Sequence, residues 1–269
     1  MRFQFWADLV DEMYAERGSN NYDSADRSPR SQKYARFPVA SELQDVLAGS
    51  KQMSKHWLKR MIAARREAAH LSAFPFQTME QLEKYAEATI VSLYYLLNEK
   101  TVELSATAAE EDPTGSSPGH RIALDHIASH LGKAQGLTNV LRGVKHNAAA
   151  RRCYIPNEVL LSSRCTHEDF LRGNNNEAVV EAVFAIASQA NSHLEHAVEL
   201  LDGLSSSPSS AGKVARRHRR ADKLIYLPHL AVSEYLEQLR RCDFNLWHGR
   251  LQQKNGLLPL KLWWRAKFL

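Results

Sequence analysis

The residues best placed to do chemistry surround one stretch, HLGKAQGLTNVLRGVKHN, residues 130–147. Wound at 3.6 residues per turn, it sets Leu131, Ala134, Leu137, Leu141, Val144 and Ala148 on one side. Gly132, Gly136, Asn139, Gly143 and Asn147 fall on the other. The first set is a core face. The second is unusual, because each glycine inside a helix costs about 1 kcal/mol relative to alanine. Either a neighbouring helix approaches closely there, or the face lines a cavity.

Other groups offer weaker chemistry. His126 and His130 stand at i, i+4 and His193 and His196 at i, i+3, spacings that could hold zinc on a helix. Such a site needs further ligands, and Asp125 lies about 100° around the wheel from His126. Packing histidines are the expectation, with no metal. The run KVARRHRR (213–220) could meet anionic lipid or RNA phosphates. It sits in a serine-rich insert without interleaved aromatics to stack bases, so no specific nucleic-acid partner is expected. The tail LLPLKLWWRAKFL combines Trp263, Trp264 and Phe268 with Lys261, Arg265 and Lys267. It suits either a bilayer interface or a helix docked on the core. Cys153, Cys165 and Cys242 are odd in number, widely spaced and unaccompanied by a base. They point to a reducing compartment and inert thiols.

The elements that must carry these groups are helical. The chain has 269 residues, 44% hydrophobic and 24% charged, with few Gly and Pro and no β-branched run suggestive of a strand. This predicts an all-α protein in one domain. The net charge of +5 is too modest to imply a nucleic-acid partner by itself. Helices are predicted over RFQFWADLVDEMYAE, over PVASELQDVLAG with Pro38 at its start, and over SKHWLKRMIAARREAAHL with Ser54 as N-cap. Another is predicted over TMEQLEKYAEATIVSLYYLLNEK with a Thr78–Gln81 capping box. Long helices follow over about 121–148, 177–202 and 228–247. Polar inserts at about 17–33, 105–119 and 204–220 read as flexible surface loops. No apolar run reaches the roughly 18 residues of a membrane span, and the N-terminus carries neither a secretory nor a transit signal.

The stretch LGKAQGLTNVLRGVKHNAAARRCYIPNEVL resembles the squalene/phytoene synthase family. The family pattern there is L-G-x-A-x-Q-L-T-N-I-L-R-D-V-x-E-D, followed by R-x-Y-L-P. Leu131, Gly132, Ala134, Leu137, Thr138, Asn139, Leu141, Arg142, Val144, Arg152, Tyr154 and Pro156 match it. The resemblance runs in order through FWADLVDEMY, FPVASELQDVL and LEKYAEATIVSL, covering the chain apart from the inserts. It implies an isoprenoid-synthase-like helical fold, with further helices expected before the first of these segments. It also implies that Gly132, Gly136, Asn139, Arg142, Gly143, Asn147, Arg152 and Tyr154 line a degenerate pocket open to ligand binding, with Arg142, Arg152 and Tyr154 at positions near the family's diphosphate site.

The departures from the pattern bear on activity. The family's enzymes carry aspartates where this chain has Gly143 and Asn147, and two carboxylates at i, i+4 hold Mg²⁺ against a diphosphate. A glycine and an amide cannot supply anionic oxygen. The family's other acidic motif belongs upstream of FWADLVDEMY, and DLVDE (Asp8 to Glu12) stands too late to replace it, so a solvated helix face is expected there. The segments HIASHLGKAQG, DFNLWH and LQQKNGLLPL resemble a branch of the family that lacks the acidic motifs. That branch serves complex I (NADH:ubiquinone oxidoreductase) biogenesis in mitochondria, at the matrix side of the inner membrane. The resemblance therefore implies a non-catalytic protein with no cofactor, whose partners are complex I subunits or assembly intermediates. Two alternatives stay open: a Mg²⁺-dependent prenyl-diphosphate condensing enzyme with ligands elsewhere, and a lipid- or prenyl-binding module.

Overall fold

Helix-forming residues dominate, and in the computed structural model they assemble around one long central helix. The structure describes residues 2–18, 37–50, 53–70, 73–108, 118–205, 220–253 and 255–268. Among the described residues there is no strand.

The elements are α1 (Arg2–Gly18), α2 (Pro38–Ala48), α3 (Lys55–His70) and α4 (Met79–Ala86). A π-helical segment, Glu87–Val91, leads without a break into α5 (Ser92–Ala108). Then come α6 (Pro118–Ala149), α7 (Asn157–Ser162), α8 (His167–Arg172), α9 (Glu177–Ser205) and α10 (Pro228–Arg241). The short α11 (Gly249–Gln252) and α12 (Leu258–Phe268) close the described chain.

The apolar stripe of α6 explains its central place. Ile127, Leu131, Ala134 and Leu137 are fully buried, and they pack with Val179, Val183, Ile186 and Ala190 of α9 in the main core. Full burial of such a branched side chain stabilises by about 1.5–3 kcal/mol, so this helix pair supplies the largest share of the core. The π segment and α4 cross a second face of α6, and α10 covers a third. A smaller apolar cluster of Leu9, Met13, Ala40 and Leu47 holds α1 to α2, with Trp6, Tyr14, Leu43 and Met53 around it.

Most predicted helices are present, and the differences have local causes. Thr78 caps α4 by accepting from Gln81 N, but Gln81 Oε1 accepts from Gln77 N, so the reciprocal half of the box is diverted. The hydroxyl of Ser54 donates to Glu99 Oε1 at 2.6 Å, which ties α3 to α5. α10 stops at Arg241, short of the predicted 247, because Asp243 and Phe244 turn to positive φ (50° and 56°). Phe244 is held there edge-on against Phe184, with ring centroids 5.0 Å apart. The short helix α8 was missed, although Thr166 and Asp169 form a complete capping box. Of the expected loops, residues 19–33, 109–117 and 206–219 lie outside the described residues; α1 and α5 run on to Gly18 and Ala108.

Candidate functional site

The glycine–asparagine face of α6 is two surfaces. In its first half the end of α4 and the π segment lie directly on it. A Cβ at Gly132 would come within 2.4 Å of Val91 Cγ2 and 2.9 Å of Val91 Cα. One at Gly136 would meet Ala86 Cβ at 2.3 Å. Only glycine lets the two backbones come this close, so these two positions are a helix contact and line no cavity. The family pattern has glutamine where Gly136 stands, and a side chain of that size has no room beside Ala86.

The second half of the face is open. Asn139 and Arg142 are exposed, and Gly143 and Asn147 are half-buried. A Cβ at Gly143 would meet only the end of the Asn147 side chain, with Nδ2 at 3.0 Å. The Arg142 guanidinium lies 5.6 Å from the ring centre of Tyr235 on α10. Arg152 turns away and donates to the Ala69 carbonyl at 3.2 Å, joining the exit of α6 to the end of α3. Tyr154 packs near Phe76, with ring centroids 5.9 Å apart. The predicted pocket residues therefore separate. Asn139, Arg142, Gly143 and Asn147 stay together on α6, while Arg152 and Tyr154 serve packing.

This donor set does not fit the Mg²⁺ that the family's catalytic site implies. Gly143 has no side chain and Asn147 offers an uncharged amide, whereas Mg²⁺ dehydrates reluctantly and binds through carboxylates. Among the described residues no group of three or more His, Cys, Asp or Glu side chains is arranged to hold a metal. Of the DLVDE carboxylates, Asp11 takes Lys55 and Lys59 of α3 at 2.6 and 2.5 Å, while Asp8 accepts from Gln4 Nε2 within α1.

The histidines gather at the α6–α9 contact. His130 Nδ1 lies 3.1 Å from His193 Nδ1, and His193 Nε2 lies 3.3 Å from Glu83 Oε1. His196 stacks on His130 at 5.3 Å. Burial first, and then the nearby His193, His196, Lys133 and His126, hold His130 below the ordinary histidine range. All three cysteines are buried and free. Burial pushes the Cys153 and Cys165 thiols up to about 11, so neither is a nucleophile near neutrality.

The C-terminal helix α12 docks through one narrow side. Leu258, Leu262 and Ala266 are half-buried at i, i+4, i+8. Lys261 pairs with Glu234 at 3.1 Å, and Arg220 donates to the Ala266 and Lys267 carbonyls. The opposite side presents Leu257, Leu260, Trp263 and Trp264, each more than half exposed. Lys267 Nζ lies 5.1 Å from a Trp263 ring centre, and Arg265 is exposed nearby. The Phe268 side chain and the basic residues 213–219 lie outside the described residues. No described helix is long and apolar enough to cross a membrane.

Sequence reasoning missed a cavity of about 390 Å³ between α3, α5 and the start of α6. Trp57, Tyr95, Asn98, Glu99, Val102, Arg121, Leu124 and Asp125 line it. Its only trace in the sequence is the recurrence of Tyr95, Asn98, Glu99 and Val102 at i, i+3, i+4, i+7.

Comparison with known proteins agrees with this architecture. A profile of the squalene/phytoene synthase family matches residues 1–263. The chain is 33% identical over its whole length to the mouse (Mus musculus) protein named NADH dehydrogenase (ubiquinone) complex I, assembly factor 6, and 30% identical to the human (Homo sapiens) protein of that name. It spans 67% of the length of each. The fold resembles a squalene synthase from Alicyclobacillus acidocaldarius, with a TM-score of 0.56 at 18% identity over 89% of this chain and 81% of that one. It also resembles a dehydrosqualene synthase, with a TM-score of 0.61 at 16% identity over 97% and 85%. With the matched profile, the central helix and these relatives together, the chain belongs to the squalene/phytoene synthase family.

Proposed function

We propose that this protein is a non-catalytic member of its family that acts in mitochondria as an assembly factor for complex I, by binding subunits or assembly intermediates of the peripheral arm. The observation that carries this reading is the α6 wall, where Gly143 and Asn147 stand in place of a carboxylate pair. Without anionic oxygens at i, i+4, a Mg²⁺–diphosphate complex loses its anchor on this helix. The close packing of Gly132 on Val91 and of Gly136 on Ala86 removes space from the same face. Relatives at 30–33% identity named for complex I assembly point the same way.

The action is surface recognition at the matrix side of the inner membrane. The exposed ridge of Leu257, Leu260, Trp263 and Trp264, with Arg265 and Lys267 beside it, suits peripheral contact with an anionic bilayer.

Cells lacking the protein and rescued with it provide the test. Peripheral-arm intermediates on native gels should recover equally with wild type and with Asn147→Ala. In parallel, the purified protein with Mg²⁺ and farnesyl diphosphate should release no pyrophosphate. Turnover that disappears in Asn147→Ala would overturn the reading in favour of a prenyl-condensing enzyme.

A further inference from the structure

We infer that the cavity between α3, α5 and α6 is a binding site for an organic cation, an ammonium or guanidinium group carried on an apolar stem. It is a different site from the degenerate wall, since Asp125 precedes Gly143 by a helical rise of about 27 Å.

Two carboxylates face this cavity, and neither is paired with a cation among the described residues. Glu99 is fixed by three uncharged donors: Ser54 N at 2.8 Å, Ser54 Oγ at 2.6 Å and Trp57 Nε1 at 3.0 Å. These bonds orient the carboxylate and leave its negative charge unbalanced. Asp125 is oriented by a relay from the core. The buried Tyr226 hydroxyl lies 2.7 Å from Asn98 Oδ1, which turns the amide so that Asn98 Nδ2 donates to Asp125 Oδ1 at 3.3 Å. Burial holds the Tyr226 phenol far above its ordinary range, so it keeps its proton, which faces both Asn98 Oδ1 and the Leu124 carbonyl at 2.9 Å.

The walls complete the recognition. Trp57 and Tyr95 form an aromatic corner, with centroids 4.7 Å apart, and Val102 and Leu124 add apolar surface. Arg60 already lies 5.7 Å from a Trp57 ring centre, in the cation–π range. An aromatic corner beside fixed carboxylates is the chemistry that retains a cation with a hydrophobic stem. Arg121 lines the cavity too. One lining cation against two lining anions leaves an unbalanced negative charge for the ligand to meet. It also disfavours polyamines, whose second charge would face Arg121.

The ligand's cation can come from a free small amine or from an arginine side chain on a partner protein. n-Butylamine, a single ammonium on an apolar stem, and a capped Gly-Arg-Gly peptide represent the two sources. The readout is the Trp57 indole N–H signal in ¹H–¹⁵N spectra of the full chain, identified by its loss in Trp57→Phe. Both probes should shift it saturably, and the tighter one identifies the source. Asp125→Asn, at an exposed position whose change should leave the melting temperature alone, should weaken binding about tenfold. Arg121→Ala should tighten it. The inference is overturned if neither probe moves the signal at millimolar concentration, or if Asp125→Asn binds as tightly as wild type.

Discussion

At the scale of single residues, the glycines of α6 show that one residue type at one helical spacing has opposite energetic signs. At Gly136 an added methyl would enter the space of Ala86, and well-packed contacts resist such insertion by about 1–3 kcal/mol. At Gly143 it would meet only a movable amide, while the gain in helix propensity is about 1 kcal/mol. Gly136→Ala should therefore lower the urea midpoint and Gly143→Ala should raise it or leave it unchanged. Equal effects would mean that Ala86 does not touch α6. The thiols give a second check at this scale. With Cys153 and Cys165 raised to about 11 by burial, a disulfide reagent at pH 8 should label the folded protein slowly and the denatured protein rapidly.

At the scale of elements, α12 is read as a helix with two apolar sides, one spent on docking and one presented outward. Replacing Leu262 with Asp places a charge on the docked side, where desolvation disfavours it. Hydrogen exchange over 258–268 should then lose protection while the main core melts as before. Replacing Trp263 and Trp264 with Ala acts on the other side. It should leave that protection intact and abolish co-sedimentation with vesicles containing anionic phospholipid. Retained sedimentation would remove the membrane role from this helix. The π segment is the other element with a consequence. By inserting an extra residue into the α4–α5 turn, it brings Val91 onto Gly132.

At the scale of the whole molecule, several histidines are half-buried in contacts between elements. His130, His167 and His229 all sit below the ordinary value of 6.5, burial being the first cause for each. Their pKa values are lower in the folded than in the unfolded state. The unfolded chain therefore takes up protons first as pH falls through about 6.5, and stability is lost below that point. The urea midpoint should be level above pH 7 and decline towards pH 5, with a shallower decline in His130→Gln. A midpoint independent of pH would contradict the burial of these rings.

The sequence by itself determined the helices and their buried faces, because periodicity and caps are local. Leu131, Ala134, Leu137 and Leu141 announced the core side of α6, and Pro38 and Thr78 marked helix starts. It also determined that Gly143 and Asn147 lack anionic oxygen, since that is a property of residue type. Only the tertiary structure decided which glycines are covered, where Arg152 turns, and how His130 meets His193. Those outcomes depend on partners from 41 to 83 residues away in the chain, and no short-range pattern encodes which helix arrives. The cavity at Trp57, Glu99 and Asp125 has the same origin: three separate helices bring its walls together.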